Sequence, residues 1–342
     1  MKAVVIAEHG GLDQLQFVER PDPVPLPGEV LVEVKAASLN HLDTWVRRGI
    51  PGVKYPLPMI PGCDGAGVVA ALGAGVPGPP VGTRVALQPG VSCERCAACL
   101  GGEDFLCRHY GMLGETRDGT NAQFISVPAS SLIPISAQLP FETAACIPVA
   151  FLTAWHMVVA RARVQPGETV LVHAGASGVG IAAIQIARLF HARVLATVGA
   201  PDKAQTARDL GAEEVILYRD TDFAAEARRL TGKRGVDVIL DHVGIETWEG
   251  NLRALATGGR LVTCGATSGH EAKTNLRILF FKNLSLLGST MGSKAEMLRV
   301  FTLVESGALR PVIDRVLPLA QVAQGHRLLE ERRVTGKIVL TI

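Results

Sequence analysis

The sequence predicts an α/β protein in which a β-rich N-terminal region precedes a doubly wound parallel sheet. Short apolar strand patterns, separated by Pro and Gly, fill residues 1–88. Strand and helix patterns alternate between residues 168 and 290, which is typical of a parallel sheet with helices on both faces. The 342 residues exceed what one hydrophobic core usually supports, so two domains are expected.

Composition narrows the class of protein. Hydrophobic residues make up 48% of the chain and the formal net charge is +2, which gives no basic surplus for nucleic acid or an anionic membrane. No apolar run approaches the ~20 residues of a membrane span, and residues 1–6 read as a strand rather than a signal peptide. We therefore expect a cytoplasmic protein without nucleic-acid or membrane partners.

The N-terminal region is expected to be mainly strands. Apolar patterns bounded by turn residues predict strands at 2–7, 16–19, 30–36, 65–72 and 84–87. Residues 40–48 predict one or two helical turns entered through the polar cap Asn40. Strand patterns return at 120–135, and 142–163 has a helical pattern.

Cysteine spacing gives the most specific signal. Four of the seven cysteines, Cys93, Cys96, Cys99 and Cys107, lie within fifteen positions, and the odd total argues against a disulfide framework. Four thiolates in one loop are typical of tetrahedral zinc, and a fully occupied ligand set makes the zinc structural. The seven-residue last spacer followed by Arg108 differs from a ferredoxin motif. The alternative, four loose surface thiols, would be exposed to oxidation.

A strand, a glycine turn and a helix follow one another at 168–190. The turn holds glycines that allow close backbone approach, and the first N–H groups of the next helix would face an anion. This context predicts a dinucleotide site. The turn residues assigned to it are Gly175, Ala176, Ser177, Gly178, Val179 and Gly180.

The alternation continues to the end of the second domain. Strands are expected at 169–174, 193–198, 215–218, 236–241, 260–265 and 284–289, and helices at 179–190, 202–210, 222–231 and 247–256. Helices at 293–306 and 321–331 and a strand at 337–342 are expected to return to the first domain. The predicted domains are 1–150 with 291–342, carrying the zinc lobe 89–111, and 151–290.

Together these motifs resemble the medium-chain dehydrogenase/reductase superfamily, which includes zinc-containing alcohol dehydrogenases and quinone oxidoreductases. Besides the cysteine lobe and the glycine turn, the resemblance rests on Gly62-Cys-Asp-Gly-Ala-Gly-Val-Val69, Leu210-Gly-Ala212, Gly258-Gly-Arg-Leu-Val262 and Gly336-Lys-Ile-Val339. It implies a GroES-like β-barrel catalytic domain, a Rossmann NAD(P)-binding domain and a cleft for nicotinamide and substrate.

One departure from the zinc enzymes is informative. The three positions that hold catalytic zinc in those relatives are Asn40, Cys63 and Val149 here, and Asp64 replaces their Glu. Since an open zinc site needs three good protein ligands, no catalytic zinc is expected. Asn40-His-Leu-Asp43 resembles the metal-free quinone reductase branch instead.

The resemblance also assigns roles. Asn40 would donate to the substrate oxygen, or cap its helix, or both. Thr153 resembles the family threonine beside the nicotinamide, and Asp43 either orients the site or caps a turn. His41 would contact the cofactor diphosphate or be a structural histidine. Gly265 is assigned to the cofactor site.

The choice of nicotinamide follows from the strand after the glycine helix. NAD-binding proteins usually place an acidic residue at its end, whereas this chain has Val198 and Gly199. Lys203, Tyr218 and Arg219 lie where NADPH-using quinone reductases bind the 2′-phosphate, although Asp202 weakens the inference. We expect NADP(H) to be favoured over NAD(H).

The expected function is hydride transfer between NADP(H) and a small apolar carbonyl, enone or quinone. One alternative is an NAD-dependent alcohol dehydrogenase with catalytic zinc on Cys63 and His41 or Asp64. Another is a dinucleotide-binding structural or sensor protein. Relatives pair the strand at 284–289 across a two-fold axis, so a homodimer or homotetramer is expected.

Overall fold

A computed structural model describes all 342 residues. The chain divides into two compact units, and the first is discontinuous: Met1–Val149 joins Ser293–Ile342. The second unit is Ala150–Gly292. None of the helices combines the length and the apolar composition needed to cross a bilayer.

The first segment of the first unit is mainly strands. They are β1 (Lys2–Val5), β2 (Gln16–Glu19), β3 (Glu29–Ser38), β4 (Asp64–Leu72), β5 (Arg84–Leu87), β6 (Gly90–Val91), β7 (Gly111–Met112), β8 (Phe124–Pro128) and β9 (Leu132–Pro134). Its short helices are α1 (His41–Arg48), α2 (Ala97–Leu100) and α3 (Phe141–Ala145). Alternate residues of β3 are buried, among them Val30, Val32 and Val34, which pack against β4, β5 and β8.

The second unit alternates strands and helices. Its strands are β10 (Thr169–Val172), β11 (Arg193–Val198), β12 (Glu214–Leu217), β13 (Val236–Asp241), β14 (Leu255–Thr263) and β15 (Ser285–Gly288). Its helices are α4 (Pro148–Trp155), which begins at the unit boundary, α5 (Gly178–Leu189), α6 (Pro201–Asp209), α7 (Phe223–Leu230), α8 (Ile245–Ala254) and α9 (Leu276–Phe281).

These six strands form one parallel sheet in the order β12-β11-β10-β13-β14-β15. The chain starts in the middle at β10, winds outward to β12 and returns to β13 on the other side of β10. This is the doubly wound order that the sequence predicts, and it creates a switch point between β10 and β13.

The last fifty residues complete the first unit. They form α10 (Lys294–Glu305), β16 (Ile313–Pro318), α11 (Val322–Glu330) and β17 (Lys337–Thr341). β17 pairs antiparallel with β3, and the sheet runs β16-β17-β3-β4-β5-β9, with β8 also on β3. The predicted α/β class, with a doubly wound parallel sheet in the second unit and a β-rich first unit, is confirmed.

Several predicted elements are corrected. The helical pattern predicted at 142–163 is not one continuous helix: it is divided into α3, α4 and a π-helical stretch His156–Arg161. Pro148 explains the first break, because it lacks an N–H and disfavours a helical residue before it. The sequence analysis missed α9, which Asn275 caps by accepting from the N–H groups of Arg277 and Ile278. Strand β14 begins at Leu255 rather than at 260, because Leu255 already pairs with Val236.

Candidate functional site

The cysteine lobe brings four sulfur atoms together. The Sγ atoms of Cys93, Cys96, Cys99 and Cys107 all lie within 4.8 Å of one another. Separations of 3.5 Å for Cys96–Cys99 and 4.0 Å for Cys93–Cys99 bracket the ~3.8 Å edge of a tetrahedron with ~2.3 Å zinc–sulfur bonds. All seven cysteines are free, so no disulfide competes for these thiols. The donor set fits a zinc ion.

Backbone N–H groups support the sulfur atoms. The amides of Cys93 and His109 both donate to Cys107 Sγ at 3.4 Å. The pKa of Cys93 is lowered to about 6, first by the backbone N–H of Arg95 and then by the Cys107 thiol. N–H donors stabilise thiolates, which are the form that binds metal.

The lobe is tied to helix α10. The Lys294 backbone N–H donates to Asp104 Oδ1 at 3.0 Å, and the Lys294 ammonium donates to Glu94 Oε1 at 2.7 Å. Asp104 lies within the lobe between Cys99 and Cys107, and only 6% of its surface is exposed. The cysteine lobe therefore contacts the first residue of α10.

A second polar cluster forms where three neighbouring strands of the first sheet meet. Asn40 follows β3, Asp64 begins β4 and Lys337 begins β17, and these strands are adjacent in the order β17-β3-β4. We call Asn40, Asp64 and Lys337 the strand-end network. Lys337 and Asp64 are 4% and 0% exposed, so their 3.0 Å ion pair lies in the interior.

Every donor of the Lys337 ammonium is used. It donates to the Leu39 carbonyl at 2.9 Å, to Asn40 Oδ1 at 2.6 Å and to Asp64 Oδ2 at 3.0 Å. Burial acts to lower the pKa of Lys337, but the neighbouring acidic groups, with the charge of Asp64 foremost, together outweigh it, and the net pKa is raised. The ammonium therefore stays charged, as a buried ion pair with full hydrogen bonding allows.

The Asp64 carboxylate is equally engaged. Its Oδ1 accepts from the Val149 N–H at 2.8 Å, while Oδ2 accepts from Asn40 Nδ2 at 2.8 Å and from Ser38 Oγ at 3.2 Å besides Lys337. Because Lys337 holds Asn40 Oδ1, the amide of Asn40 is oriented with Nδ2 toward Asp64 and toward Cys63 Sγ at 3.3 Å. Both Asn40 amide hydrogens thus point to protein acceptors.

Cys63 and Asp43 complete this cluster. Burial, and then the nearby Asp43 and Asp64, raise the pKa of the Cys63 thiol well above its ordinary value. Its thiol donates to Asp43 Oδ1 at 3.7 Å. Burial also raises the pKa of Asp43 to about 7, although its Oδ2 accepts from the Asn40 backbone N–H at 2.6 Å. His41, the first residue of α1, is exposed.

Sequence reasoning missed Lys337 as a member of this cluster. Locally it belongs only to the motif Gly336-Lys-Ile-Val339, and nothing in that motif relates it to Asn40, which lies 297 positions away. The available signal was a lysine at the start of an apolar strand, in a position that burial would make costly without a carboxylate partner.

The glycine turn of the second unit has little room for side chains. A Cβ at Gly180 would lie 2.2 Å from the Ala174 carbonyl oxygen, and one at Gly175 would lie 2.9 Å from the Ala196 Cβ. Ser177 caps α5 by accepting from the Gly180 N–H at 3.0 Å. Gly178 and Val179 begin the helix, and Ala176 within the turn is buried.

An aromatic side chain lies beside Gly199, the residue that follows β11. Tyr218, 37% exposed, follows β12, and its hydroxyl would lie 2.8 Å from a Cβ at Gly199. Lys203 is in the first turn of α6, and Arg219 is exposed next to Tyr218. The chain therefore has no carboxylate at the end of β11. Lys203 follows that end along the chain, and Arg219 lies two residues past Leu217, which pairs with Val198.

Two further predicted residues lie in the second unit. Thr153 is 6% exposed on α4, and its hydroxyl donates only to the thioether of Met291 at 3.8 Å, which is a weak acceptor. Gly265 packs against His242, since a Cβ at 265 would lie 3.1 Å from the His242 carbonyl oxygen. His242 also lies 3.0 Å from Ser177 Oγ through its Nε2 and was not anticipated from the sequence.

Known proteins resemble this chain over its whole length. Residues 26–137 match the family model described as an alcohol dehydrogenase GroES-like domain, and residues 178–306 match that of a zinc-binding dehydrogenase. A quinone oxidoreductase of Pseudomonas aeruginosa is 33% identical, with 99% of each chain covered.

Solved structures give the same result. The chain is 50% identical to a protein described as an NAD-dependent alcohol dehydrogenase, with a TM-score of 0.96 and 100% of both chains covered. It is 34% identical to a cobalt- and zinc-bound thermostable alcohol dehydrogenase from Pyrobaculum aerophilum, with a TM-score of 0.91 over 100% of this chain and 99% of that chain.

Proposed function

The chain belongs to the medium-chain dehydrogenase/reductase superfamily and is an NAD(P)-dependent oxidoreductase, and on that premise we propose that it transfers hydride between NADP(H) and a small apolar carbonyl, enone or quinone without a catalytic metal. Its zinc is confined to the cysteine lobe. The main support for a site without catalytic metal is the orientation of the Asn40 side chain, whose amide hydrogens face Cys63 and Asp64.

The donor set at Asn40, Cys63 and Val149 is unsuited to a cation. Two of the three side chains offer no thiolate or imidazole, and the third is a buried thiol whose raised pKa keeps its proton. The Asn40 Nδ2–H group also points at Cys63 Sγ, so a partial positive charge lies where a metal ion would bind. The four cysteines of the lobe are the one group of three or more His, Cys, Asp or Glu with converging ligand atoms.

Metal analysis tests this assignment. Protein purified without chelator is expected to hold about one zinc per chain, and activity is expected to survive a chelator treatment that leaves that zinc in place. Two zinc ions per chain, with activity lost on removing only the weaker one, would favour the alternative of a catalytic zinc on Cys63 with His41 or Asp64. That alternative is favoured by the similarity of the chain to a cobalt- and zinc-bound alcohol dehydrogenase.

The preference for NADP(H) is proposed from the end of β11. Gly199 has no side chain to repel a 2′-phosphate, the Tyr218 hydroxyl lies beside it, and Lys203 and Arg219 supply positive charge. Relative kcat/KM for NADPH and NADH tests the choice. Lys203→Ala and Arg219→Ala should lower kcat/KM for NADPH and leave that for NADH unchanged.

NAD(H) is the second candidate cofactor. It is favoured by the 50% identity to a protein described as NAD-dependent. Higher kcat/KM with NADH in the unmodified protein, and no selective effect of the two alanine variants, would establish it in place of NADP(H).

The proposed chemistry uses the nicotinamide as hydride carrier, while side chains bind and orient the reactants. Thr153 is proposed to contact the nicotinamide, because its hydroxyl now donates only to a thioether that a stronger acceptor would displace. Asn40 would donate to the substrate oxygen by exchanging its weaker bond, 3.3 Å to Cys63 Sγ. Asp43 would hold the Asn40 backbone in that geometry, and His41 would contact the cofactor diphosphate.

A carbonyl panel separates an enzyme from a binding protein. Turnover of enones, quinones or apolar aldehydes with NADPH is expected, and charged carbonyl compounds should be poor substrates. Tight NADPH binding without turnover on the whole panel would instead support a structural or sensor role.

We propose that the protein forms a homodimer or homotetramer through the edge strand β15 of its second unit. β15 is the last strand of its sheet, paired only with β14, and the neighbouring Leu276, Phe280 and Phe281 are between 60% and 68% exposed. An unpaired edge beside an apolar surface favours pairing with a second copy. Sedimentation is expected to give at least a dimer, and Leu287→Pro in β15 to shift it toward monomer.

A further inference from the structure

The hydroxyl of Ser177 has two neighbours in the turn between β10 and α5. The Gly180 backbone N–H donates to Ser177 Oγ at 3.0 Å, and Nε2 of His242 lies 3.0 Å from the same oxygen. Both Ser177 and His242 are half-buried. His242 is therefore in direct contact with the side chain that caps the glycine helix.

His242 lies at the carboxyl edge of the parallel sheet, where the nucleotide is proposed to bind. It directly follows β13, which pairs in parallel with β10, and the order of strands reverses between these two. In open α/β sheets, ligands bind at the carboxyl ends of the strands at such a reversal. His242 and the glycine turn thus lie at the same edge of the sheet, at the ends of neighbouring strands.

A buried carboxylate fixes the backbone around His242. Asp241, 0% exposed, accepts from the Val243 and Gly244 N–H groups at 2.7 and 3.3 Å, from Thr247 Oγ1 at 2.7 Å and from Asn251 Nδ2 at 2.7 Å. Four donors on one carboxylate hold the turn after β13 in one conformation.

The same network reaches β10 and β11. Because Asn251 Nδ2 donates to Asp241, its Oδ1 accepts from His173 Nε2 at 2.6 Å. The other ring nitrogen of His173, Nδ1, is 3.0 Å from Thr197 Oγ1, and the Ala174 N–H donates to the same oxygen at 3.2 Å. Hydrogen bonds thereby link the carboxyl-end regions of three strands, β10, β11 and β13, next to the residues that carry Ser177 and His242.

The chemistry of a hydroxyl then limits what Ser177 does. A serine hydroxyl has one proton to donate and two lone pairs to accept with. The Gly180 N–H occupies one lone pair. If Nε2 of His242 carries a proton and donates to the second lone pair, the hydroxyl proton is left to point outward. If the hydroxyl instead donates to Nε2, a lone pair faces outward and repels an anion.

We propose that His242 is a positioning residue for the cofactor diphosphate, acting by donating its Nε2–H to Ser177 so that the Ser177 hydroxyl donates to a phosphate oxygen. The inference rests on the proposed nucleotide-binding function and extends it to a residue outside the glycine turn. Diphosphate binding selects the Nε2–H form of the ring, either neutral or protonated. Gly265 contributes by allowing close backbone approach to His242.

Three substitutions test the proposal. His242→Leu removes the donor, His242→Gln keeps an Nε2–H donor, and Ser177→Ala removes the hydroxyl through which His242 acts. The probes are NADPH, ADP-ribose, which has the diphosphate, and adenosine 2′-monophosphate, which lacks it. Kd is measured by fluorescence for NADPH and by displacement of NADPH for the other two.

His242→Leu should weaken NADPH and ADP-ribose about tenfold, the loss expected for one hydrogen bond to a charged group, and leave adenosine 2′-monophosphate unchanged. His242→Gln should restore most of the affinity. The double variant His242→Leu/Ser177→Ala should bind no more weakly than Ser177→Ala alone, because both changes remove one donor. Nitrogen NMR of the His242 ring should show Nε2 protonated when ADP-ribose is bound.

Other results would overturn the proposal. Equal weakening of all three probes by His242→Leu would indicate a merely structural role, and so would strictly additive effects in the double variant. Unchanged affinity in every His242 variant would remove the residue from binding altogether. If the unmodified protein binds neither NADPH nor ADP-ribose, the proposed function itself fails, and this outcome is distinct from a failure confined to His242.

Discussion

The cysteine lobe and the strand-end network of Asn40, Asp64 and Lys337 are both polar clusters of the first unit, yet they are completed in opposite ways. The lobe presents four converging sulfurs that repel one another as thiolates until a cation joins them. The network contains its own cation, since every N–H of Lys337 has an acceptor within the protein.

The difference shows what each cluster requires from outside the chain. On the proposed assignment the lobe binds zinc, and the free energy of zinc binding would then contribute to the free energy of folding. The network is balanced internally, one ammonium against one carboxylate, and needs no added ion. The largest losses of stability are therefore expected from substitutions that remove a zinc ligand or one partner of the buried ion pair.

Breaking the lobe should have the largest effect. Cys96→Ser is expected to abolish zinc retention, because it removes one of four ligands from a binding free energy on the order of 10 kcal/mol. Zinc content and thermal unfolding measure the change. Cys264→Ser is the matched control, since Cys264 lies outside the lobe, and it should keep its zinc. Full zinc in Cys96→Ser would contradict the four-cysteine assignment.

Breaking the network should be the next largest effect. Lys337→Met leaves the buried Asp64 carboxylate without its cation and should cost about 3–5 kcal/mol in the free energy of unfolding, measured in urea. The double variant Lys337→Met/Asp64→Asn should recover part of that loss, because no charge is then left unpaired. A loss of under about 1 kcal/mol in Lys337→Met would show that the pair is not isolated from water.

A third buried polar group, His326, extends the comparison, because it has neither converging ligand atoms around it nor a hydrogen-bond partner. Neither ring nitrogen of His326 has a partner, and Arg47 nearby pairs with Glu330. Burial, and then the Arg47 charge, lower the pKa of His326 from 6.5 to about 3. The unfolded chain thus binds a proton between these values that the folded protein does not.

This site should make stability depend on pH. The free energy of unfolding is expected to fall as pH decreases from 6.5 toward 3, by up to about 1.4 kcal/mol per pH unit from this group. The contribution is fully present above 6.5. His326→Leu should flatten the dependence, whereas replacement of the exposed His270 by Leu should not. An unchanged slope in His326→Leu would assign the pH dependence to other groups.

The smallest effect is expected at the hydrogen bond between Asp104 of the cysteine lobe and the Lys294 N–H of α10. Asp104→Ala removes the acceptor of the Lys294 N–H and should cost about 1 kcal/mol while zinc content stays the same. Hydrogen exchange at residues 294–297 should increase. Asp118→Ala, which removes a comparable acceptor from the Ile60 N–H, should leave that region unchanged.

The sequence predicts the lobe and the doubly wound sheet well, because their signals are local. Four cysteines within fifteen positions define their own cluster, and Ser177 and Gly180 are three residues apart. The strand-end network could not be found this way, because Asn40 and Lys337 are separated by 297 positions and meet only through the pairing of β3 with β17. His242 was missed for the same reason, since it reaches Ser177 across 65 positions.

The central claim is that metal serves the lobe and not the strand-end network. A crystal structure with anomalous data on both sides of the zinc edge, from protein purified without chelator, tests it most directly. The account predicts one zinc per chain, bound by Cys93, Cys96, Cys99 and Cys107, with Lys337 still bonded to Asn40 and Asp64. A second zinc peak within bonding distance of Cys63 Sγ would contradict it.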